Sequence, residues 1–314
     1  MLDRAPSEFA RADAPPADAV VATGITRPRY EDVTQDGRLR LDSVWHAMGP
    51  VFWERHPMAV SLGRLGTQGI RTVLTYVTLE GGERGISLFA DLEHEVRMRF
   101  AHTVDAEGTV DRILMDTWLE SHAPARGGRD APPRPGRGRV LAARSFGRHV
   151  LTRPAVAPPG HRVLALDDPE LPSVPATRLA WRPAALLELP GGARALEEAP
   201  RAEPVPVAFG LAHTDGNQHV NFQVYPRLLE EAALRRLHEL GRPGRRLARR
   251  AELVYRKPGF AGDVLRLVLQ AFEAEGGAVG VVGGFFEDTP GSRAARSWEE
   301  AGRPRCSARL WLTE

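Results

Sequence analysis

The chain has 314 residues, of which 42% are hydrophobic, and a formal net charge of +2. This composition excludes a globally disordered chain, and the length predicts about two domains. The charge balance gives no indication of nucleic-acid binding, and the single cysteine, Cys306, excludes an internal disulfide. No stretch reaches the roughly 18 apolar residues of a membrane helix, so we expect a cytoplasmic protein with no membrane span.

The N-terminal half begins with residues 1–20, which are rich in alanine, proline and charge and are predicted to form a disordered leader. Large apolar residues at helical spacing then predict a helix over Leu41–Arg55. Runs rich in β-branched residues predict three strands, over Ile70–Glu80, Gly85–Phe100 and Val110–Ser121. Turn residues at 126–138 predict a loop. We assign residues 21–150 to an N-terminal domain and residues 151–204 to a linker and connecting segment.

The C-terminal domain, residues 205–314, repeats this order of elements. A helix is predicted over Phe222–Leu240, ended by Gly241. Strands are predicted over Ala248–Arg256, Val264–Glu273, Val279–Glu287 and Arg305–Leu312. Cys306, at the start of the last strand, is predicted to be a small buried hydrophobic residue rather than a nucleophile.

Three polar residues, Asp215, Asn217 and His219, alternate just before the second helix. In an extended segment such positions share one face, so we predict that a carboxylate, a carboxamide and a titratable base converge at a helix N-terminus. Free backbone N–H groups there can stabilise an oxyanion. The alternatives are an Asx-turn at Asp215, a turn role for Asn217, and a histidine that caps the helix or bonds to backbone.

The run Asn217-Gln218-His219-Val220-Asn221, with Tyr225 and two glutamates on the following helix, resembles the active-site signature of hotdog-fold thioesterases. It is most similar to that of the acyl-acyl carrier protein thioesterases, over about residues 205–273. The resemblance implies catalytic roles for Asp215, Asn217 and His219. Phe222 replaces the second asparagine of that signature, and Pro258-Gly259 stands where those enzymes carry a Glu-Cys pair.

An internal repeat is predicted when the two halves are superposed at an offset of 179, which places Asp215-Gly216 on Asp36-Gly37. The predicted fold class is therefore α+β, a double hotdog of two antiparallel sheets, each wrapped around a long central helix. The N-terminal unit lacks the Asn and His in this superposition and is predicted to bind the acyl chain. Whether two such chains form a homodimer is left open.

The glutamate that would complete the catalytic set is assigned to Glu231, with Glu230 as the alternative. The other interpretation of Glu231 is a solvated pair with Arg235 at helical spacing. A run with five arginines in ten residues, Gly241–Arg250, suits the phosphate of phosphopantetheine or CoA, or an acidic carrier protein, or is a solvated loop. The residues predicted to bind substrate are Asn221, Tyr225, Trp45, Arg245 and Arg246.

The predicted function is hydrolysis of an acyl thioester on an acyl carrier protein or CoA, in fatty-acid or polyketide metabolism. No metal and no cofactor beyond the phosphopantetheine or CoA of the substrate is expected. One alternative keeps the fold and changes the reaction to that of a dehydratase or an acyltransferase/decarboxylase, with His46 as a candidate on the first helix. The other is a non-catalytic acyl-carrier binding protein.

Overall fold

The computed structural model describes residues 14–125, 138–180, 186–242 and 246–313. The chain divides into two compact units. Among the described residues, the N-terminal unit comprises 14–77, 81–125 and 138–180, and the C-terminal unit comprises 78–80, 186–242 and 246–313. Residues 1–13 of the predicted leader and 126–137 of the predicted loop lie outside the described residues.

The N-terminal unit is built mainly of antiparallel sheet. Its strands neighbour one another in the order β1-β3-β4-β5-β2, and β3 pairs antiparallel with both β1 and β4. Predicted strands lie at β2, β3 and β4. The strands β1 and β5 were not predicted, and in β5 three arginines interrupt the apolar alternation. The strand bounds are β1 Val20–Thr26, β2 Arg71–Gly81, β3 Leu92–Val104, β4 Val110–Pro124 and β5 Arg139–Thr152.

The predicted helix over Leu41–Arg55 is not a regular α-helix. It consists of a 3-10 helix, Leu41–Ala47, followed by a π-helix, Met48–Trp53, and the α-helix α1 follows at Met58–Thr67. Pro50 lacks a backbone N–H and its ring clashes with the preceding turn, which explains the irregularity. The predicted apolar stripe is nevertheless buried, at Val44, Trp45, Met48, Val51 and Phe52.

The C-terminal unit is also mostly antiparallel sheet. Its strands neighbour one another in the order β9-β12-β11-β10, and three short strands, β6, β7 and β8, all pair with the outer edge of β10. The four predicted strands are confirmed to within one residue at each end. The strand bounds are β6 Arg194–Ala195, β7 Arg201–Ala202, β8 Val207–Ala208, β9 Leu247–Tyr255, β10 Val264–Glu273, β11 Val279–Glu287 and β12 Cys306–Thr313.

The main helix of this unit, α2, runs over Val224–Glu239. It begins two residues later than predicted, so that Pro226 lies in the first turn, where a missing N–H costs little. Gly241 follows the helix with φ +69°, as expected for a glycine that ends a helix. Two short helices, α3 (Pro290–Ala294) and α4 (Trp298–Ala301), precede β12 and were not predicted.

Arg236 lies on the buried face of α2, and its side chain is only 2% exposed. Its guanidinium lies 2.9 Å from the Glu197 carboxylate, 2.8 Å from that of Glu203, and donates to the Leu269 carbonyl oxygen. Glu197 also accepts a hydrogen bond from the backbone N–H of Ala271 on β10. One buried cation thus ties α2 to β10 and to the chain that carries β6 and β7.

The two units repeat the same order of strands around their helices. The N-terminal order, β1-β3-β4-β5-β2, matches the C-terminal order when β6–β8 are set against β1 and β9 against β2. The repeat extends to the turn before each helix. An isolated antiparallel β-bridge joins Val33 to Leu39 in the N-terminal unit. The equivalent β-bridge in the C-terminal unit joins Thr214 to Val220, and each of its residues lies 181 positions later in the chain.

The predicted offset of 179 is therefore wrong by two residues. At 181, Gly37 (φ +81°) matches Gln218 (φ +64°), so the same left-handed position recurs in both turns. The N–H of Arg40 donates to the Asp32 carbonyl oxygen and that of Asn221 to the His213 carbonyl oxygen, both over 2.8 Å. The superposition at 179 was chosen because Asp-Gly occurs in both halves. The backbone conformation repeats at 181 instead, and the two Asp-Gly pairs do not occupy equivalent positions.

Cys306 is buried at 1% exposure, as predicted, and burial raises the pKa of its thiol well above the ordinary value. A thiol in this state is a poor nucleophile. Among the residues that the structure describes, no helix combines the length and the apolar character needed to cross a bilayer.

Replacing Arg236 with Met should destabilise the protein by about 3–5 kcal/mol, because two buried glutamates lose their cation. The neighbouring Arg235 is the matched control. Its side chain is 59% exposed and 3.5 Å from Glu203, so Arg235→Met should cost no more than about 1 kcal/mol. Urea unfolding followed by circular dichroism measures both values. Equal losses in the two variants would contradict the role assigned to Arg236.

Candidate active site

A tight hairpin, Thr214–Val220, carries the predicted catalytic residues. The N–H of Gln218 donates to the carbonyl oxygen of Asp215 over 2.9 Å and closes the turn, and the N–H of Asp215 donates to the carbonyl oxygen of His219 over 3.0 Å. Gln218 takes the left-handed conformation that the turn demands, at φ +64°. The predicted extended segment is therefore wrong, and strict alternation of side chains does not apply here.

Asp215 forms an Asx-turn, which was the alternative interpretation of this residue. Its Oδ1 accepts a hydrogen bond of 2.8 Å from the backbone N–H of Asn217. The carboxylate thereby stabilises the turn that presents Asn217 and His219. A second Asx-type bond follows, in which the Asn221 Oδ1 accepts from the N–H of Gln223 over 2.9 Å, just before α2 begins.

The functional groups of Asn217 and His219 are accessible. Asn217 is exposed and His219 is half-buried, with its ring edge-to-face against Phe260 at a centroid distance of 5.2 Å. In the part of the chain that the structure describes, no group hydrogen-bonds the His219 ring. The imidazole is therefore held by an aromatic contact while its nitrogens remain available to water or a substrate.

Backbone hydrogen bonds attach the hairpin to the segments on either side of it. The N–H of Val220 donates to the Gly259 carbonyl oxygen over 2.8 Å, and that of Asn221 donates to the His213 carbonyl oxygen over 2.8 Å. The hairpin thus lies between the 3-10 helix Leu211–His213 and the turn after β9. Both attachments use backbone atoms, so they place the site independently of the side chains that would do the chemistry.

Gly259, at the position where the resemblance leads one to expect a cysteine, makes a close approach to α2. A Cβ at this residue would lie 2.8 Å from the Tyr225 hydroxyl and 3.1 Å from Val220 Cγ2. Tyr225 itself is 2% exposed and contacts the rings of Tyr255 and Phe285. Burial raises the pKa of its hydroxyl. Tyr225, predicted to bind substrate, therefore lies in the aromatic core beneath the hairpin.

Charged side chains stabilise the turn that carries Phe260, and sequence analysis did not predict this role for them. The Asp263 Oδ2 accepts from the N–H of Phe260 over 2.9 Å and pairs with Arg305. Arg305 also lies 2.7 Å from Glu287. Phe260, at 45% exposure, is an accessible aromatic residue next to His219. The flanking Gly259 and Gly262, which mark a tight turn, were the only available signal for it.

His213 is a second imidazole at this site that sequence analysis missed. Its Nδ1 accepts from the Gly210 N–H over 3.1 Å. The neutral ring therefore carries its proton on Nε2 and acts as a donor rather than as a base.

The helix glutamates point in different directions. The Glu230 carboxylate accepts from the backbone N–H of Ala248 over 3.1 Å, which joins α2 to β9. Glu231 is 53% exposed and lies 3.7 Å from Arg227, one turn earlier. Arg235, the predicted partner of Glu231, lies instead near Glu203.

Two of the remaining predicted binding residues, Trp45 and Arg246, are described by the structure. Trp45 belongs to the N-terminal unit, where its indole donates to the Ser145 hydroxyl over 2.6 Å and its ring fills the space above Gly147. Arg246 is half-buried just before β9, and Arg245 lies outside the described residues.

Comparison with known proteins finds similarity in structure and not in sequence. No family model matches the chain, and no curated protein matches it. A protein named as an oleoyl thioesterase from Lactobacillus plantarum is 12% identical, with a TM-score of 0.61 over 94% of this chain and 96% of its own. The 12:0-ACP thioesterase from Umbellularia californica is 14% identical, with a TM-score of 0.51 over 93% of this chain and 96% of its own.

An acyl-ACP thioesterase from Bacteroides thetaiotaomicron VPI-5482 gives a TM-score of 0.50 at 12% identity, over 93% of this chain and 98% of its own. The chain has a hotdog thioesterase-like fold. At 12–14% identity the likeness establishes the fold alone. The chemistry has to be argued from the hairpin.

Gly259→Ala should destabilise the protein by about 1–3 kcal/mol, because the new methyl group meets the Tyr225 hydroxyl. Tyr225→Phe removes that hydroxyl, so the double variant should lose less stability than the sum of the two single variants. Thermal and urea unfolding of the four proteins of this cycle measure the coupling. Strict additivity would show that the close approach does not constrain the site.

Proposed function

We propose that the protein hydrolyses acyl thioesters carried by an acyl carrier protein or by CoA, with the hairpin Thr214–Val220 as its active site. The observation that carries this proposal is the joint presentation of an accessible imidazole and an accessible carboxamide on one hydrogen-bonded turn, directly before α2. The structural similarity to three thioesterases across nearly the whole chain supports it. On this proposal each unit is one hotdog, and the chain is a double hotdog.

His219 is the general base of the proposed reaction. Neutral imidazole takes a proton from water while the water oxygen forms a bond to the thioester carbonyl carbon. The tetrahedral intermediate then expels the thiolate as the C–S bond breaks, and His219 returns the proton to the sulfur. The products are a carboxylic acid and the free thiol of the carrier or CoA.

Asn217 stabilises the charge that develops on the carbonyl oxygen. Its carboxamide offers two N–H donors on an exposed residue, where a carbonyl can reach them. Asp215 has a positioning role, because its carboxylate accepts from the backbone N–H of Asn217. On this proposal His219 activates the water, and the reaction uses no metal or further cofactor. A cytoplasmic location is part of the proposal.

His219→Ala and Asn217→Ala should each lower kcat for thioester hydrolysis by at least about 10²-fold, the range for losing a general base or an oxyanion donor. His238→Ala is the matched control, because His238 is an exposed histidine in the last turn of α2. Thiol release from acyl-CoA, followed with a chromogenic disulfide, gives the rates. The assignment fails if His219→Ala retains the rate of the His238→Ala control.

Asp215 can be tested separately, because asparagine keeps the turn and loses the charge. Asp215→Asn retains an oxygen that accepts from the Asn217 N–H, so it should keep kcat within about fivefold of wild type if the residue only positions the turn. Asp215→Ala should lower kcat further, because the turn loses the hydrogen bond from the Asn217 N–H. An equal loss of about 10²-fold or more in both variants would instead assign Asp215 to proton transfer.

A further inference from the structure

His213, which the mechanism proposed above does not use, carries an imidazole whose tautomer is set by the backbone. Its Nδ1 accepts from the N–H of Gly210 over 3.1 Å. Because that nitrogen is an acceptor, the neutral ring carries its proton on Nε2. His213 is half-buried, and within the ranges that the structure describes no group hydrogen-bonds Nε2. The imidazole therefore offers an N–H donor beside the hairpin.

The bond from Gly210 does not by itself require a histidine. At the equivalent position, 181 residues earlier, Asp32 accepts from the backbone N–H of Arg29 over 2.8 Å. In both units this N–H belongs to the residue that precedes the 3-10 helix. A carboxylate can therefore make the same bond, but it has no proton to donate. What histidine adds at position 213 is the donor on Nε2.

Backbone pairing places His213 next to His219. Thr214 and Val220 form an antiparallel bridge, and the N–H of Asn221 donates to the His213 carbonyl oxygen over 2.8 Å. His213 is therefore opposite Asn221, and His219 is its diagonal neighbour on the other arm of the hairpin. Diagonal neighbours in an antiparallel pair are about 7–8 Å apart, a span that aromatic side chains can bridge. A carbonyl group fits between two imidazoles at that separation.

Aromatic contacts connect both imidazoles to the turn after β9. The His213 ring lies edge-to-face against Phe209 at a centroid distance of 5.8 Å, and the N–H of Phe209 donates to the Asp263 carbonyl oxygen over 2.9 Å. The His219 ring lies edge-to-face against Phe260, and the N–H of Asp263 donates to the Phe260 carbonyl oxygen over 3.1 Å. One hydrogen-bonded turn thus supports both rings, in agreement with the backbone pairing.

We propose that His213 is a further catalytic residue, whose Nε2–H donates to the carbonyl oxygen of the bound thioester. This inference rests on the function proposed for the hairpin. As His219 takes a proton from water and the water oxygen bonds to the carbonyl carbon, negative charge develops on the carbonyl oxygen. The N–H of His213 and the carboxamide of Asn217 stabilise that charge together. His213 keeps its proton throughout, because a neutral imidazole is a hydrogen-bond donor here and not an acid.

Two substitutions separate the donor from the bond to Gly210. His213→Asn keeps an oxygen that accepts from the Gly210 N–H and supplies an amide N–H, so kcat for thiol release should stay within about tenfold of wild type. His213→Asp keeps the acceptor, as Asp32 does in the N-terminal unit, but donates no proton. Its kcat should fall by about 10²–10³-fold, the range for losing one oxyanion donor, with little change in KM.

The negative charge of the aspartate has its own control. Ala212 is an exposed neighbour in the same 3-10 helix, so Ala212→Asp adds the same charge one residue away. Solvent screens an exposed charge, and kcat should stay within about twofold of wild type. Equal kcat values for His213→Asp and Ala212→Asp, with activity lost in His219→Ala, would overturn the inference and leave the proposed function standing.

A titration of the His213 ring detects the contact without turnover. The probe is an oxoalkyl thioether of pantetheine, which keeps a carbonyl close to the sulfur, cannot be hydrolysed, and contains the arm that CoA and carrier proteins share. In the ¹⁵N spectrum of the full chain, His213 should show an unprotonated Nδ1 and a protonated Nε2, and the probe should shift the Nε2 resonance until it saturates.

The outcomes of this titration distinguish the two proposals. A saturable shift without thiol release from any thioester would support the donor role of His213 and overturn hydrolysis alone. Thiol release without a shift, or a ring protonated on Nδ1, would overturn the inference alone. The absence of both thiol release and a shift would overturn both.

Discussion

The backbone N–H of Val220 donates to the carbonyl oxygen of Gly259, and the geometry of the candidate site depends on this bond. It joins the hairpin to the turn that carries Phe260, and hence sets the imidazole of His219 against an aromatic ring. A Cβ at Gly259 would lie 2.8 Å from the Tyr225 hydroxyl, so the absence of a side chain allows this turn to approach α2 closely. Pro258-Gly259 stands where the resemblance leads one to expect a Glu-Cys pair. Gly259 is thus adapted to the packing of Tyr225 on α2.

Strands and turns of the C-terminal unit could be predicted from the sequence, because apolar alternation and turn residues report the local backbone. The conformation of the hairpin could not. Alternating polar residues suit a strand as well as a turn, and the hydrogen bond from the Asn217 N–H to the Asp215 carboxylate decides between them. Arg236 was equally hidden, because its burial depends on Glu197 and Glu203, which are more than thirty residues away in the chain. Long-range charge pairing leaves no local pattern.

The two units share a backbone plan and differ in the chemistry placed on it. Position 32 is an aspartate whose carboxylate accepts from the Arg29 N–H, whereas its counterpart His213 accepts from the Gly210 N–H through a ring nitrogen. Each side chain accepts from the backbone N–H of the residue that precedes its 3-10 helix, which is Arg29 before Tyr30–Asp32 and Gly210 before Leu211–His213. The repeated scaffold therefore tolerates different polar residues at one position. A superposition based on identical residues therefore gave the wrong offset, whereas the backbone hydrogen bonds of the two units give the correct one.

The central claim is that the hairpin Thr214–Val220 supports hydrolysis of a thioester. The most direct measurement incubates the wild-type protein with acyl-CoA and acyl-carrier-protein thioesters of graded chain length, and identifies the products by mass spectrometry. The account predicts equimolar free thiol and carboxylic acid from at least one thioester. Acyl groups that stay attached to their carrier, whether unchanged or converted by dehydration or decarboxylation, would contradict it.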